Sequence, residues 1–170
     1  MQHSIGWPLN NRTGGGSFLY HLEECLVSVE FVVHLDYRNT WTNPFEELRR
    51  FKTHPLVRAT LDGGTRIEYG ARAITEGGWQ SVPKLTFPGG CLIGCAAGFV
   101  NVPRIKGSHN AMLSGILAAE AMAEALAAGR AHDEITGYEA SWRDSAIGAD
   151  LRRVMNVKPL WARLGTLPGV

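Results

Sequence analysis

The stretch after Ser108 constrains the fold more than any other. Ala111, Met112, Gly115, Ile116, Ala119, Met122, Ala123 and Leu126 recur at helical spacing, and Gly129 supplies a C-terminal stop. The small side chains on that stripe predict a helix lying close to a sheet or a ligand. A second helix is expected from about Asp133 to Val154, ended by Pro159. Upstream the pattern changes to strand. Ser17–Leu22 alternates behind Gly14, Gly15 and Gly16, and Leu26–Leu35 is rich in β-branched residues. Only Glu23, Glu24 and Cys25 separate the two runs, which predicts a β-hairpin.

Asn43-Pro44-Phe45-Glu46 opens a short helix, with Asn43 as the cap, proline at the first helical position and Glu46 bonding back to the cap. Phe45, Leu48 and Phe51 share its apolar face, and Pro55 is expected to end it. After the Asp62-Gly63-Gly64 turn, Thr65–Ile74 reads as a strand. Phe87–Cys95 reads as a turn into a short buried strand. The fold class is therefore α+β (mixed α/β), with strands first and helices last.

A chain of 170 residues, 45% hydrophobic and 19% charged, normally builds one domain with a real core. A formal net charge of +1 gives no electrostatic reason to expect nucleic acid. Cys25, Cys91 and Cys95 are too few, and wrongly spaced, for a disulfide framework or a metal site. Cys91 and Cys95 read as buried thiols in an apolar strand. No apolar run reaches the roughly 18 residues of a membrane span; Ile116–Ala128 is interrupted by Glu120 and Glu124. Contact with a membrane would be made from its surface. The chain opens at once on strand-like sequence and stops at Leu-Pro-Gly-Val, which suggests a piece of a longer protein.

Two places can carry chemistry. Gly94-Cys-Ala-Ala-Gly98, a short loop and a helix opening at Gly107-Ser108 would bring unsatisfied backbone N–H groups and a partial positive charge to a point where glycines permit close approach. An ordinary strand-loop-helix joint, with Ser108 as the cap, fits the spacing better. Gly14-Gly15-Gly16 is either another close-approach site or a pliable entry to the hairpin. Arg104 and Lys106 suit a phosphate or a solvated loop equally. His21, His34 and His109 lack a nucleophile or paired carboxylate beside them in sequence, so no hydrolytic triad is expected.

Longer strings decide more than spacing does. Gly6-Trp-Pro-Leu9, Gly15-Gly-Ser-Phe-Leu-Tyr-His-Leu22, Phe31-Val-Val-His-Leu-Asp-Tyr37 and Tyr69-Gly-Ala-Arg-Ala73 resemble the quinone-binding region of electron transfer flavoprotein–ubiquinone oxidoreductases. The resemblance continues through Glu76–Gly90 and Ile93–Met112, then more weakly at Tyr138–Trp142 and Arg153–Pro159. It implies an FAD- and [4Fe–4S]-containing oxidoreductase on the surface of a bacterial or mitochondrial inner membrane, passing electrons from electron transfer flavoprotein to ubiquinone. It further implies a ubiquinone-binding region over 1–86, the C-terminal part of an FAD-binding domain over 87–130 and a helical return over 131–170.

Carried across on matching residues, Gly15 and Gly16 contact the quinone head. Gly94, Gly98, Asn101, Pro103, Gly107 and Ser108 belong to the segment closing over the flavin. The family's Gly-x-Gly-x-x-Gly phosphate turn and its cluster cysteines have no counterpart in this sequence. The isolated chain is therefore expected to be inactive, to hold FAD weakly and to ligate no cluster. Gly14 stands where the family tends to have tyrosine, and His34 where it tends to have glycine. A non-catalytic quinone- or membrane-binding module, or a related FAD-dependent reductase, are the alternatives.

Overall fold

The computed structural model describes residues 1–166, which fall into two compact bodies. The first comprises Met1–Gly70 and the residues from Pro159 on; the second comprises Ala71–Lys158.

In the first body β1 (Gln2–Ile5), β2 (Gly15–His21) and β3 (Val27–Val33) form an antiparallel sheet in that order. The expected hairpin is β2–β3, closed by Leu22 N–H donating to the Leu26 carbonyl at 2.8 Å. β2 alternates as a half-buried strand should: Gly15, Ser17 and Leu19 are buried, and Phe18 and Tyr20 stack on the opposite face at 4.6 Å. Leu19 meets Phe51 and Val57 in a small core, with Val27, Val29, Phe31 and Leu61 around it.

Phe51 comes from α1 (Pro44–Lys52), where the Asn43 side chain accepts from Phe45 N–H at 3.0 Å. Glu46 does not reach back to the cap; it pairs forward with Arg49 at 3.0 Å. Pro55 does not end this helix either. Thr53 caps α1, and Pro55 takes the first position of α2 (Pro55–Leu61), where a missing N–H costs nothing. Thr65–Ile74 is not a strand. Among the described residues no strand pairs with it, and Ile67 and Tyr69 are exposed.

In the second body β4 (Thr86–Phe87) and β5 (Gly90–Cys91) make a two-residue ladder, and Gly94–Ala97 is a turn of 3₁₀ helix. The buried strand expected up to Cys95 is thus only two residues long, and Cys91 and Cys95 are half-buried. α3 (Ser108–Ala127) follows the expected bounds but buries the opposite face. Asn110, Ser114, Ala118 and Ala125 point inward, whereas Met112, Ile116 and Leu126 are exposed. Periodicity locates the stripe; the tertiary neighbours choose which stripe to cover.

The second expected helix is two: α4 (Gly137–Asp144) and α5 (Ala146–Arg153). Ser145 breaks it, its hydroxyl accepting from Ile147 N–H at 3.1 Å and donating to the Trp142 carbonyl at 2.8 Å. Gly148 lies so close to the Arg143 carbonyl that any Cβ there would overlap it. Trp142 is fully buried, 5.0 Å from Phe99 and 5.3 Å from Trp79, with the Arg143 guanidinium 4.4 Å above it. Pro159 does not terminate anything: it sits in the first turn of α6 (Val157–Leu164), where its N–H is not needed.

Candidate functional site

The first glycine-rich stretch is fixed by the sheet. Gly16 lies opposite Ile5 on one side and Val32 on the other, and Gly15 opposite Val33. A Cβ on Gly15 would overlap the Val32 carbonyl and lie 2.5 Å from Leu9 Cδ1; one on Gly16 would overlap the Ser4 carbonyl. The Gly15 carbonyl accepts from Gly6 N–H at 3.0 Å, and the Gly14 carbonyl from His34 N–H at 2.9 Å. The absence of side chains here is required by the protein's own strands, whatever else approaches them.

Gly14 and His34 are neighbours. A Cβ on Gly14 would run into the His34 imidazole, which is buried and meets Trp161 edge-on at 4.8 Å. A polar recess of about 40 Å³ beside them is bordered by Arg12, His34, Asp36 and Arg38, and has room for little more than a water molecule. A wide, open trough of about 630 Å³ at the hairpin end is lined by His21, Leu22, Glu23, Glu24 and Leu26. Neither recess is lined by Gly15 or Gly16.

The second stretch is built from left-handed backbone and a bare helix end. Gly94 (φ 58°) and Gly98 (φ 83°) occupy conformations that side chains resist. A Cβ on Gly94 would be 3.2 Å from that of Ala111, so the turn lies directly on α3. Ser114 fastens it, accepting from Gly94 N–H at 2.9 Å and donating to the Ala111 carbonyl at 2.7 Å. Just ahead of the turn, the Tyr138 hydroxyl donates to the Leu92 carbonyl at 3.2 Å, and burial foremost pushes that phenol up to about 12.

Asn101 is buried and closes the following loop on Lys106, its N–H donating at 2.8 Å and its carbonyl accepting at 3.3 Å. Pro103 lies inside the 3₁₀ turn Val102–Arg104. Gly107, not Ser108, occupies the cap position of α3, and no side chain caps that end. Ser108 is the first residue of the helix, and both Ser108 and His109 are exposed. Free backbone N–H groups at an exposed, uncapped helix start suit the carbonyl oxygens of a flavin ring or another electron-rich group.

Asp150 on α5 went unforeseen. Its carboxylate accepts from Asn101 Nδ2 at 2.8 Å and Asn110 Nδ2 at 3.2 Å, and lies 3.5 Å from both Arg104 Nη1 and His109 Nε2. Burial alone would raise its pKa. The hydrogen bonds from Asn101, Asn110 and His109, with the Arg104 charge, outweigh burial and hold it below the usual carboxylate range. Partners 40 to 49 residues away leave no local sequence signal.

Among the described residues no group of three or more His, Cys, Asp or Glu could hold a metal ion, and no helix is long and apolar enough to cross a membrane.

This α+β chain, with a small antiparallel sheet ahead of its helices, matches over residues 1–74 the family model "ETF-QO, ubiquinone-binding", which defines the class of its first body. The sequence is 54% identical to the mitochondrial electron transfer flavoprotein–ubiquinone oxidoreductase of Rattus norvegicus over 94% of the chain and 27% of that protein. It is 52% identical to the Homo sapiens protein over the same shares, and 48% identical to that of Caenorhabditis elegans over all of the chain and 30% of that protein. Over nearly all of its length the chain is similar to the electron transfer flavoprotein–ubiquinone oxidoreductases. It spans little more than a quarter of the length of these curated relatives.

Proposed function

We propose that this chain carries the ubiquinone contact, and part of the flavin contact, of an oxidoreductase that takes electrons from reduced electron transfer flavoprotein and delivers them to ubiquinone at a membrane surface. The supporting observation is the ubiquinone-binding match over residues 1–74, which takes in all three strands of the sheet. High identity to the relatives runs on through the helical body, which favours an enzyme part over a detached quinone-binding module.

In this reading Gly15 and Gly16 lie against the quinone head and Leu9 covers the adjoining backbone. FAD, when bound, supplies the electron-carrying chemistry. Toward it Gly94 and Gly98 permit close approach, Asn101 and Pro103 shape the loop, and Gly107 and Ser108 present the bare start of α3. No side chain here is placed as an acid–base catalyst, as suits a protein that positions cofactors. The [4Fe–4S] cluster and the phosphate grip on FAD would come from the rest of the full-length enzyme.

Leu9→Ala in the full-length enzyme tests the quinone assignment, because Leu9 is half-buried beside Gly15 without belonging to the sheet. The KM for a short-chain ubiquinone is expected to rise several-fold, while reduction of the flavin by the donor protein stays unchanged. An unchanged KM, or equal losses in both assays, would sink it.

A further inference from the structure

Asp150 gathers more polar partners than any other carboxylate described, and nothing in the proposed electron path uses it. Its side chain is 14% exposed and reaches both sides of one loop: Asn101 and Arg104 ahead of it, His109 and Asn110 behind. Asn101 and Asn110 are themselves buried, so their amides depend on this carboxylate for hydrogen bonds that water does not readily replace. Asn101 also accepts from Arg104 N–H at 3.3 Å and bridges to Lys106, so holding Asn101 holds residues 101–106. Asn110 lies in the first turn of α3, so holding it fixes the direction of that helix start.

We infer that Asp150 is a positioning residue for the flavin: by bonding Asn101 and Asn110 across the loop, it holds the 101–107 segment and the bare N-terminus of α3 in the orientation in which their backbone N–H groups meet the ring. This rests on the reading of that segment as the flavin contact. A second consequence follows from charge. Asp150 places one negative charge near the helix start, partly offset by Arg104. That charge opposes added electron density on a nearby ring, so its removal favours the reduced flavin.

Two variants in the full-length enzyme separate these effects. Asp150→Asn keeps an acceptor oxygen and loses the charge; Asp150→Ala loses both. Three readouts are taken: amide hydrogen exchange at residues 101–110 in flavin-free protein, FAD retained per chain, and the flavin midpoint potential. Asp150→Ala should speed exchange across the loop by about tenfold or more, the scale of losing one charge-assisted hydrogen bond, and lower FAD retention several-fold. Asp150→Asn, which keeps one of the two acceptor oxygens, should lose less of both than Asp150→Ala and shift the potential to a more positive value.

Exchange unchanged in Asp150→Ala would overturn the positioning role while leaving the flavin contact standing. Faster exchange with FAD retention and potential both unchanged would mean that the loop does not meet the flavin, overturning that contact and the inference together. A loss of FAD equal in both variants, with no shift in potential, would reduce Asp150 to a folding residue and overturn the inference.

Discussion

At Gly15 and Gly16 side chains are excluded by the backbone of neighbouring strands, whereas at Gly94 and Gly98 the backbone itself is left-handed. In the sheet body a Cβ would meet immovable main-chain oxygens of Val32 and Ser4. In the helical body the nearest atoms stand at 3.2 and 3.3 Å and belong to the Ala111 and Thr75 side chains. One stretch is locked by a ladder. The other is pinned at separate points by Ser114, Tyr138 and Asp150. Two sequences that look equally glycine-rich therefore owe their glycines to different physics, and substitutions should tell them apart.

The largest effect is expected at Gly16. Gly16→Val must push β1 from β2, at a cost of about 3 kcal/mol or more, whereas Gly98→Ala meets mainly the left-handed backbone, about 1–2 kcal/mol. Thermal melts of both variants give the ranking, and equal losses would erase the distinction.

A smaller effect tests whether a side chain at Gly14 would compete with His34 for one space. Gly14→Ala alone should cost about 2 kcal/mol against the His34 ring, and adding His34→Gly should restore at least half of that. Purely additive losses in denaturant titrations would mean that the two sites do not compete for the same space.

The smallest effect is an acid one. Asp150 has its folded pKa held below the ordinary 3.8, so its contribution is complete above the unfolded value and disappears as pH falls through the folded one. Asp150→Asn should lower stability at neutral pH by that contribution and flatten the profile below about pH 4, where the two proteins converge. An unaltered acid limb would show that the carboxylate is not held as its four partners suggest.

Features governed by local chemistry were legible in the sequence: the β2–β3 hairpin, the Asn43-Pro44 start of α1, and the bounds of α3 ending before Gly129. Prolines were misread because their meaning depends on position. Pro55 and Pro159 both sit in first turns, where the absent N–H has no partner to lose. Thr65–Ile74 has strand-like composition, but a strand exists only where another strand pairs with it, and none does among the described residues. The buried face of α3 and the break at Ser145 were set by neighbours far along the chain, as was the convergence on Asp150. Family strings are the source of the glycine pair and the loop residues as proposed contacts. They carried no sign that Gly15 and Gly16 already satisfy a steric demand of their own fold.

The quinone assignment at Gly15 and Gly16 is tested most directly by amide hydrogen exchange on the full-length enzyme, with and without a saturating short-chain ubiquinone. The expected result is slower exchange at residues 6–9 and 15–21, where Leu9 and the β2 backbone would be covered, with the α3 start unchanged. Protection confined to residues beyond 74, with residues 6–21 unaffected, would contradict it and remove the glycine pair from the quinone site.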